Sequence, residues 1–305
     1  MTPAAASGNP QPPPTYGGQA VIEGVMMRGA SACATAVRAP DGTVRFDVRQ
    51  IDSITRRRVA RVPFVRGLFV LVDTLNLGFR ALAFSAGVQA GPQENLAGAP
   101  VAASMIVAAL GGVALFFLLP AAVAFALERT LGFAPAVGVV LEGFIRLGLL
   151  LGYLWGIGRI PEIRRVYAYH GAEHKTIHAF EARRPLIVEE IAPFPCEHPR
   201  CGTAFLLTVV VFSIIFFSLL GPMPLWIRLV SRVLLVPVLA GIAYEYIRWT
   251  ARWQHARWAR PLLLPNLALQ RLTTREPESD MIEVAIAAFE AMRRAEGAES
   301  SHSLS

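Results

Sequence analysis

The chain has 305 residues, of which 54% are hydrophobic and only 17% charged. A soluble domain is nearer a quarter charged, so this balance excludes an ordinary soluble enzyme, and with it collagen, coiled coil and wholesale disorder. The 29 Lys and Arg against 22 Asp and Glu leave a net charge of +7, a surplus that in a membrane protein gathers on the cytoplasmic side.

Residues 1–16 are mostly Ala, Pro and small polar residues without a charged side chain. They lack the basic start and apolar run of a signal peptide and are expected to be an uncleaved, disordered tail. Residues 17–62 read as a β-rich cytosolic segment. Within it, Ala34–Arg38 and Thr43–Val48 flank Asp41-Gly42, a hairpin signal, and three or so strands are expected. Residues 63–87 are apolar, yet Arg66, Asp73 and Arg80 recur at seven-residue steps, and Asn76 falls near the same line. Seven residues are nearly two helical turns, so these groups form one stripe of an amphipathic helix at the membrane surface or against another domain.

Four stretches read as transmembrane helices: 101–127, 136–158, 203–221 and 225–249. The second contains Glu142 and Arg146, expected to pair, and the fourth begins with Arg228 and Arg232, expected to snorkel to the outer interface. These charges also allow a transporter or channel reading, although no repeat supports it. The loop at 159–202 carries seven Lys and Arg, and more arginines follow 249, whereas the other connections carry one or none. Both termini and the central loop are therefore expected in the cytoplasm. A crossing at 63–87 would put the basic N-terminal region and the basic central loop on opposite faces, so four spans are expected. Trp249, Trp253 and Trp258, directly after a span, are expected to form an interfacial belt, and nucleic acid is set aside as a partner. The tail from 250 to 305 is expected to be cytosolic and helical, with Met281, Ile282, Ala285, Ile286, Phe289 and Met292 on its docked face and a frayed end from Glu296.

The central loop holds the chemistry. His170-Gly-Ala-Glu173-His174 has the form H-x-x-E-H. On a helix the two histidines lie one turn apart and can share a metal, with Glu173 as the proton acceptor. His178 lies two turns from His170, about 12 Å along the axis, too far to bind the same ion. Cys196, His198 and Cys201 lie within six residues. His198 and Cys201 could complete a tetrahedral, closed structural site, with zinc or another divalent metal; alternatively Cys196 and Cys201 are a pair of reduced cysteines. Disulfides are not expected on this side of the membrane. Glu23, next to Gly24, could reach the loop and supply a carboxylate ligand, or simply lie in a tight β-turn.

Three stretches carry a resemblance: Gly17-Gly-Gln-Ala-Val-Ile-Glu-Gly-Val-Met-Met-Arg-Gly29, His170-Gly-Ala-Glu-His-Lys175, and His198 with Arg200-Cys-Gly-Thr203. Tyr244-Glu245 with Arg248, and Gln270 to Pro277, fit the same pattern. The chain resembles the YqhQ-like family of uncharacterised bacterial membrane proteins, over about 17–290. The resemblance implies a multi-pass protein of the bacterial cytoplasmic (inner) membrane, labelled a metal-dependent enzyme, with no substrate. It marks Gly17, Gly18, Glu23, Gly24, Arg28, His170, Glu173, His174, Lys175, His198, Arg200 and Cys201; Cys196 is left out.

The expected protein is a mainly α polytopic membrane protein whose cytosolic unit is assembled from the β-rich segment, the central loop and the C-terminal helix. One reading is a metal-dependent hydrolase-like enzyme on the cytoplasmic face. The other is a membrane scaffold with a structural His/Cys cluster, binding anionic lipid or a protein or ribosomal partner.

Overall fold

The computed structural model describes residues 16–51, 64–91, 99–253 and 256–302. The tail expected before residue 16 and the arginines at 56–58 and 61 lie outside them.

Four antiparallel strands form a meander in the order β1 (Gly17–Val21), β2 (Gly24–Arg28), β3 (Ala32–Arg38) and β4 (Val44–Gln50). Val21 pairs with Gly24, so Ile22 and Glu23 make a two-residue turn, with Glu23 at φ 51°. The Asp41-Gly42 signal does turn β3 into β4, with Gly42 at φ 82° and the Asp41 carboxylate accepting from the Thr43 N–H. Side chains alternate across a strand, and both faces of β2 and β3 are apolar, so the sheet must be covered twice.

The helices that cover it come from distant parts of the chain. On one face Val25, Met27, Ala34 and Ala36 pack with Tyr169 and Ala172 of α5 (Pro161–Glu181) and with Phe289 and Met292 of α10 (Ser279–His302). On the other, Val21, Met26, Cys33 and Val37 pack with Leu77, Ala81, Phe84 and Val88 of α1 (Val65–Ala90). Each large side chain buried in full contributes roughly 1.5–3 kcal/mol. The periodic residues of α10 face this core, except that Ile286 is only partly buried. Glu296 differs from the frayed end expected there: it accepts from the backbone N–H groups of Ala30 and Ser31 and from the Tyr16 hydroxyl. Three orphan donors beside one carboxylate hold the last turns in place.

The remaining helices are α2 (Ala99–Val113), which runs through a π-helical turn (Ala114–Leu118) into α3 (Leu119–Leu131), then α4 (Pro135–Ile157), the short α6 (Val188–Ile191), α7 (Thr203–Leu220), α8 (Leu225–Arg252) and α9 (Arg260–Thr273). The protein is mainly helical, and among the described residues five helical segments are long and apolar enough to cross a bilayer: 106–131, 135–157, 203–220, 225–252 and also 66–90 in α1. Two residues of the polar stripe of α1 bind protein partners, while Asn76 and Arg80 are exposed. Arg66 Nε donates to Glu245 Oε1 of α8 at 2.6 Å, and Asp73 accepts from Arg28 of β2 at 2.6 Å. Arg28 therefore ties the sheet to α1 and lies outside the candidate site.

Arg228 and Arg232 do not snorkel outward. They are buried and turn inward to Glu142, whose carboxylate accepts from Arg146, Arg228 and Arg232 at 2.7–2.8 Å. Pro120, four residues on, has no N–H to give the Phe116 carbonyl, which accepts from Arg146 Nε at 2.8 Å. A carboxylate with a single cationic partner would keep lone pairs unsatisfied in a low dielectric, and inward arginines remove that cost.

Candidate metal centre

α5 carries the H-x-x-E-H residues. Pro161 supplies its first turn, where a missing N–H costs nothing. Gly171 sits mid-helix because a Cβ there would lie 2.2 Å from the Arg275 carbonyl oxygen, so the segment after α9 crosses α5 at that point. The loop from 182 to 202 then folds back along the histidine face and ends at Cys201, two residues before α7.

His170, His174 and Cys201 each offer a donor atom within 4.8 Å of the other two. Their orientation is fixed from behind. His170 Nδ1 faces the Thr273 carbonyl at 2.9 Å, and His174 Nδ1 faces the Cys196 carbonyl at 2.5 Å. A carbonyl only accepts, so both Nδ1 atoms carry a proton, which in a neutral ring leaves Nε2 as the acceptor and potential ligand. His170 Nε2 lies 3.2 Å from Cys201 Sγ. The Thr203 backbone N–H donates to that sulfur at 3.4 Å, and the Thr203 hydroxyl lies 3.1 Å from it. Burial acts to raise the Cys201 pKa, but His174 and Thr203 outweigh it and hold the thiol below its ordinary value. Burial lowers His174, which keeps it neutral. Two imidazoles and a thiol disposed to ionise are a soft-to-borderline donor set that suits zinc.

Glu173 is buried, and burial pushes its carboxyl up to about 8, with His170 and the Gly18 backbone N–H acting the other way. Its Oε2 has no hydrogen-bond partner. Gly18 is required at the approach, because a Cβ there would lie 2.9 Å from the Glu173 carboxyl and 2.6 Å from the Met26 carbonyl oxygen. The first of the paired glycines, Gly17, has open space around it.

His198 differs from the expected fourth ligand. It groups instead with His178 and Glu181. Its Nδ1 accepts from the Arg200 backbone N–H at 3.2 Å, which places the proton of the neutral ring on Nε2, 3.6 Å from Glu181 Oε1. That tautomer is wrong for a ligand through Nε2, and the Glu181 carboxylate is already paired with the Arg200 guanidinium. His178 donates through Nε2 to the Glu197 carbonyl at 2.9 Å. Burial pushes both His178 and His198 down to about 4. The four rings follow one another, with centroids 4.4 Å apart for His170 and His174, 5.6 Å for His174 and His198, and 4.5 Å for His198 and His178.

Two further marked residues, Glu23 and Lys175, and the unmarked Cys196 lie around this frame. Glu23 does not reach the cluster: both its oxygens bind Arg165, at 2.5 and 2.7 Å, and its place is the tight β1–β2 turn. Buried Lys175 donates to the Ala192 carbonyl and pairs with Glu276, each at 2.6 Å, tying the loop to the C-terminal segment. The Cys196 thiol faces Glu276 at 3.3 Å and burial pushes it up to about 12; its contribution is the carbonyl behind His174. Sequence reasoning missed the roles of four residues. Gln270 is buried and bonds both the N–H and the carbonyl of His198, at 2.7 and 3.0 Å. Thr273 orients His170, Thr203 faces the sulfur, and Glu181 anchors Arg200. Glu181 sits one turn after His178, a visible spacing; nothing local links Gln270 to a loop more than seventy positions earlier.

The family profile described as "Protein of unknown function (DUF1385)" matches residues 62–295, which include every residue of the cluster. The chain is also 33% identical over 299 residues to "Uncharacterized protein YqhQ" of Bacillus subtilis (strain 168), covering 93% of this chain and 94% of that protein. No solved structure matches the chain. On both likenesses, the chain belongs to the YqhQ-like, DUF1385 family.

Proposed function

We propose that this protein is a four-span protein of the bacterial cytoplasmic membrane with a metal-dependent, hydrolase-like site on its cytoplasmic face. His170, His174 and Cys201 hold a divalent ion, and Glu173 is the base. The observation that carries the reading is the pair of imidazoles pinned by backbone carbonyls, with both Nε2 atoms turned to Cys201, beside a carboxylate oxygen that has no partner. Three protein ligands leave one position open for chemistry. When bound, the ion supplies Lewis acidity there. Glu173 takes the proton of the attacking water at Oε2; a nearby cation favours its ionised form and opposes the effect of burial.

Support for four crossings comes from α1. Leu77 to Gln89 pack on the sheet, and Gln89 donates to the Arg38 carbonyl at 2.8 Å. The residues before Asp73 are too few to cross a bilayer, which takes about 20. Support for the orientation is the Lys and Arg bias of 159–202. A cysteine replacing Arg184, exposed in that loop, should resist an impermeant maleimide in intact cells and react after permeabilisation. Labelling in intact cells would overturn the orientation.

A second reading has its own observation. Glu173 is fully enclosed and joined to β1 through Gly18, so it can serve as a fourth ligand of a closed, structural site. Glu173→Gln separates the two. With Glu173 as base, metal content and melting temperature stay near wild type, and complementation of a deletion strain falls by about 10²–10⁴-fold. With Glu173 as ligand, metal content and melting temperature both fall. A metal-free wild type, with His174→Ala and Cys201→Ser complementing fully, would sink both readings.

A further inference from the structure

We infer that the cavity at the junction of α4 and α5 binds the phosphate of an anionic phospholipid headgroup. This rests on the proposal that α4 crosses the membrane and on nothing in the metal centre. The cavity measures about 520 Å³, and its walls include Arg159, Arg164, Arg165, Arg275, Glu276 and Glu278. Arg165 is bound to Glu23, and Glu276 to Lys175. Among the described residues Arg159, Arg164 and Arg275 form no ion pair; the Arg275 guanidinium donates only to the Arg271 and Thr274 carbonyls. Set against Glu278, these three leave a surplus of two positive charges facing one cavity. Planar guanidinium groups match phosphate oxygens in pairs.

The place of the cavity identifies the source of the phosphate. Arg159 stacks on Trp155 with its guanidinium carbon 3.5 Å from the ring centroid, and Trp155 is exposed in the last turn of α4. A tryptophan at the end of a span marks the headgroup level. Leu151, one turn earlier, is exposed along the same line and offers a track for an acyl chain. α5 starts beside the cavity, and Glu162 in its first turn offsets the positive helix end, so the attraction is carried by the arginines. A soluble phosphate would meet the charge but not the apolar track.

The test uses the full chain in nanodiscs of phosphatidylcholine with a minor fraction of phosphatidylglycerol. Lipid retained after extraction is counted by native mass spectrometry. Wild type should keep phosphatidylglycerol in preference to phosphatidylcholine. R159Q/R164Q should lower that retention roughly tenfold or more, since each arginine near an anionic surface contributes about fivefold. Both side chains are exposed, and Arg164→Gln alone provides the same readout should the double variant fail to fold. R293Q/R294Q removes the same charge from α10 and should change nothing. Chelator-treated protein should retain the lipid equally, which separates this result from the fate of the metal centre. Equal loss in R293Q/R294Q would reduce the effect to bulk charge. Equal competition by glycerol 3-phosphate, which lacks acyl chains, would assign the cavity to a soluble ester. Either outcome overturns the inference.

Discussion

Two carboxylates are buried among the described residues, and they are treated in opposite ways. Glu142, between the helices, accepts four hydrogen bonds from three arginines, so both oxygens are saturated. Glu173, below the sheet, receives the Gly18 N–H and keeps one oxygen without a partner, beside two imidazoles and a thiol. Saturation in a low dielectric is how a buried charge becomes a clamp. A carboxylate left short, among donors oriented by their own backbone contacts, is arranged for something that arrives later. Burial alone therefore does not mark a site; an unpartnered carboxylate oxygen beside three potential metal ligands does.

The clamp should break hardest. Glu142→Ala leaves Arg146 and Arg232 without a carboxylate and Arg228 with Glu128 alone, and removing one partner of a buried pair costs about 3–5 kcal/mol. The expected result is a protein depleted from membranes, with a melting temperature in detergent well below wild type. Normal abundance and melting would mean that the arginines find other partners, and the contrast with Glu173 would fail.

A smaller effect is expected at Gly171. The alanine Cβ would stand 2.2 Å from the Arg275 carbonyl oxygen, and overpacking of this kind costs about 1–3 kcal/mol. Because the displaced segment lies next to Thr273, Gly171→Ala should also lower metal affinity. Unchanged stability, despite alanine's better helix propensity, would show that the segment gives way freely.

The smallest effect is a pH slope. His178 has a folded pKa of about 4, below its ordinary 6.5, so between those values the unfolded chain binds the extra proton. Stability contributed by neutral His178 is present above about 6.5 and is lost as pH falls towards 4. His178→Gln keeps a donor for the Glu197 carbonyl and cannot titrate. Its melting temperature, measured against wild type from pH 7 to pH 4.5, should fall less steeply; parallel curves would mean that His178 does not titrate in this window.

Much of this arrangement was legible before any fold was known. The apolar runs predict helices, because any backbone in hydrocarbon must satisfy its own hydrogen bonds. Asp41-Gly42 predicts a hairpin, since Gly42 takes a positive φ at no cost. The four-residue step from His170 to His174 places both rings on one face whatever surrounds them. The spacing of Met281, Ile282, Ala285 and Phe289 announces a docked helix.

What the spacing left open is set by partners far away along the chain. His198 stands three residues from Cys201, yet its tautomer is fixed by the Arg200 N–H and its backbone by Gln270, so it turns away from the pair it was expected to join. Arg228 and Arg232 look like snorkelling residues at the start of a span until Glu142 of another helix lies within reach. Proximity in sequence determined which residues share a helix face. Which of them share a ligand, a proton or a countercharge was decided only by carbonyls and carboxylates brought in by the tertiary structure, because such bonds act within about 3 Å and carry no imprint on local spacing.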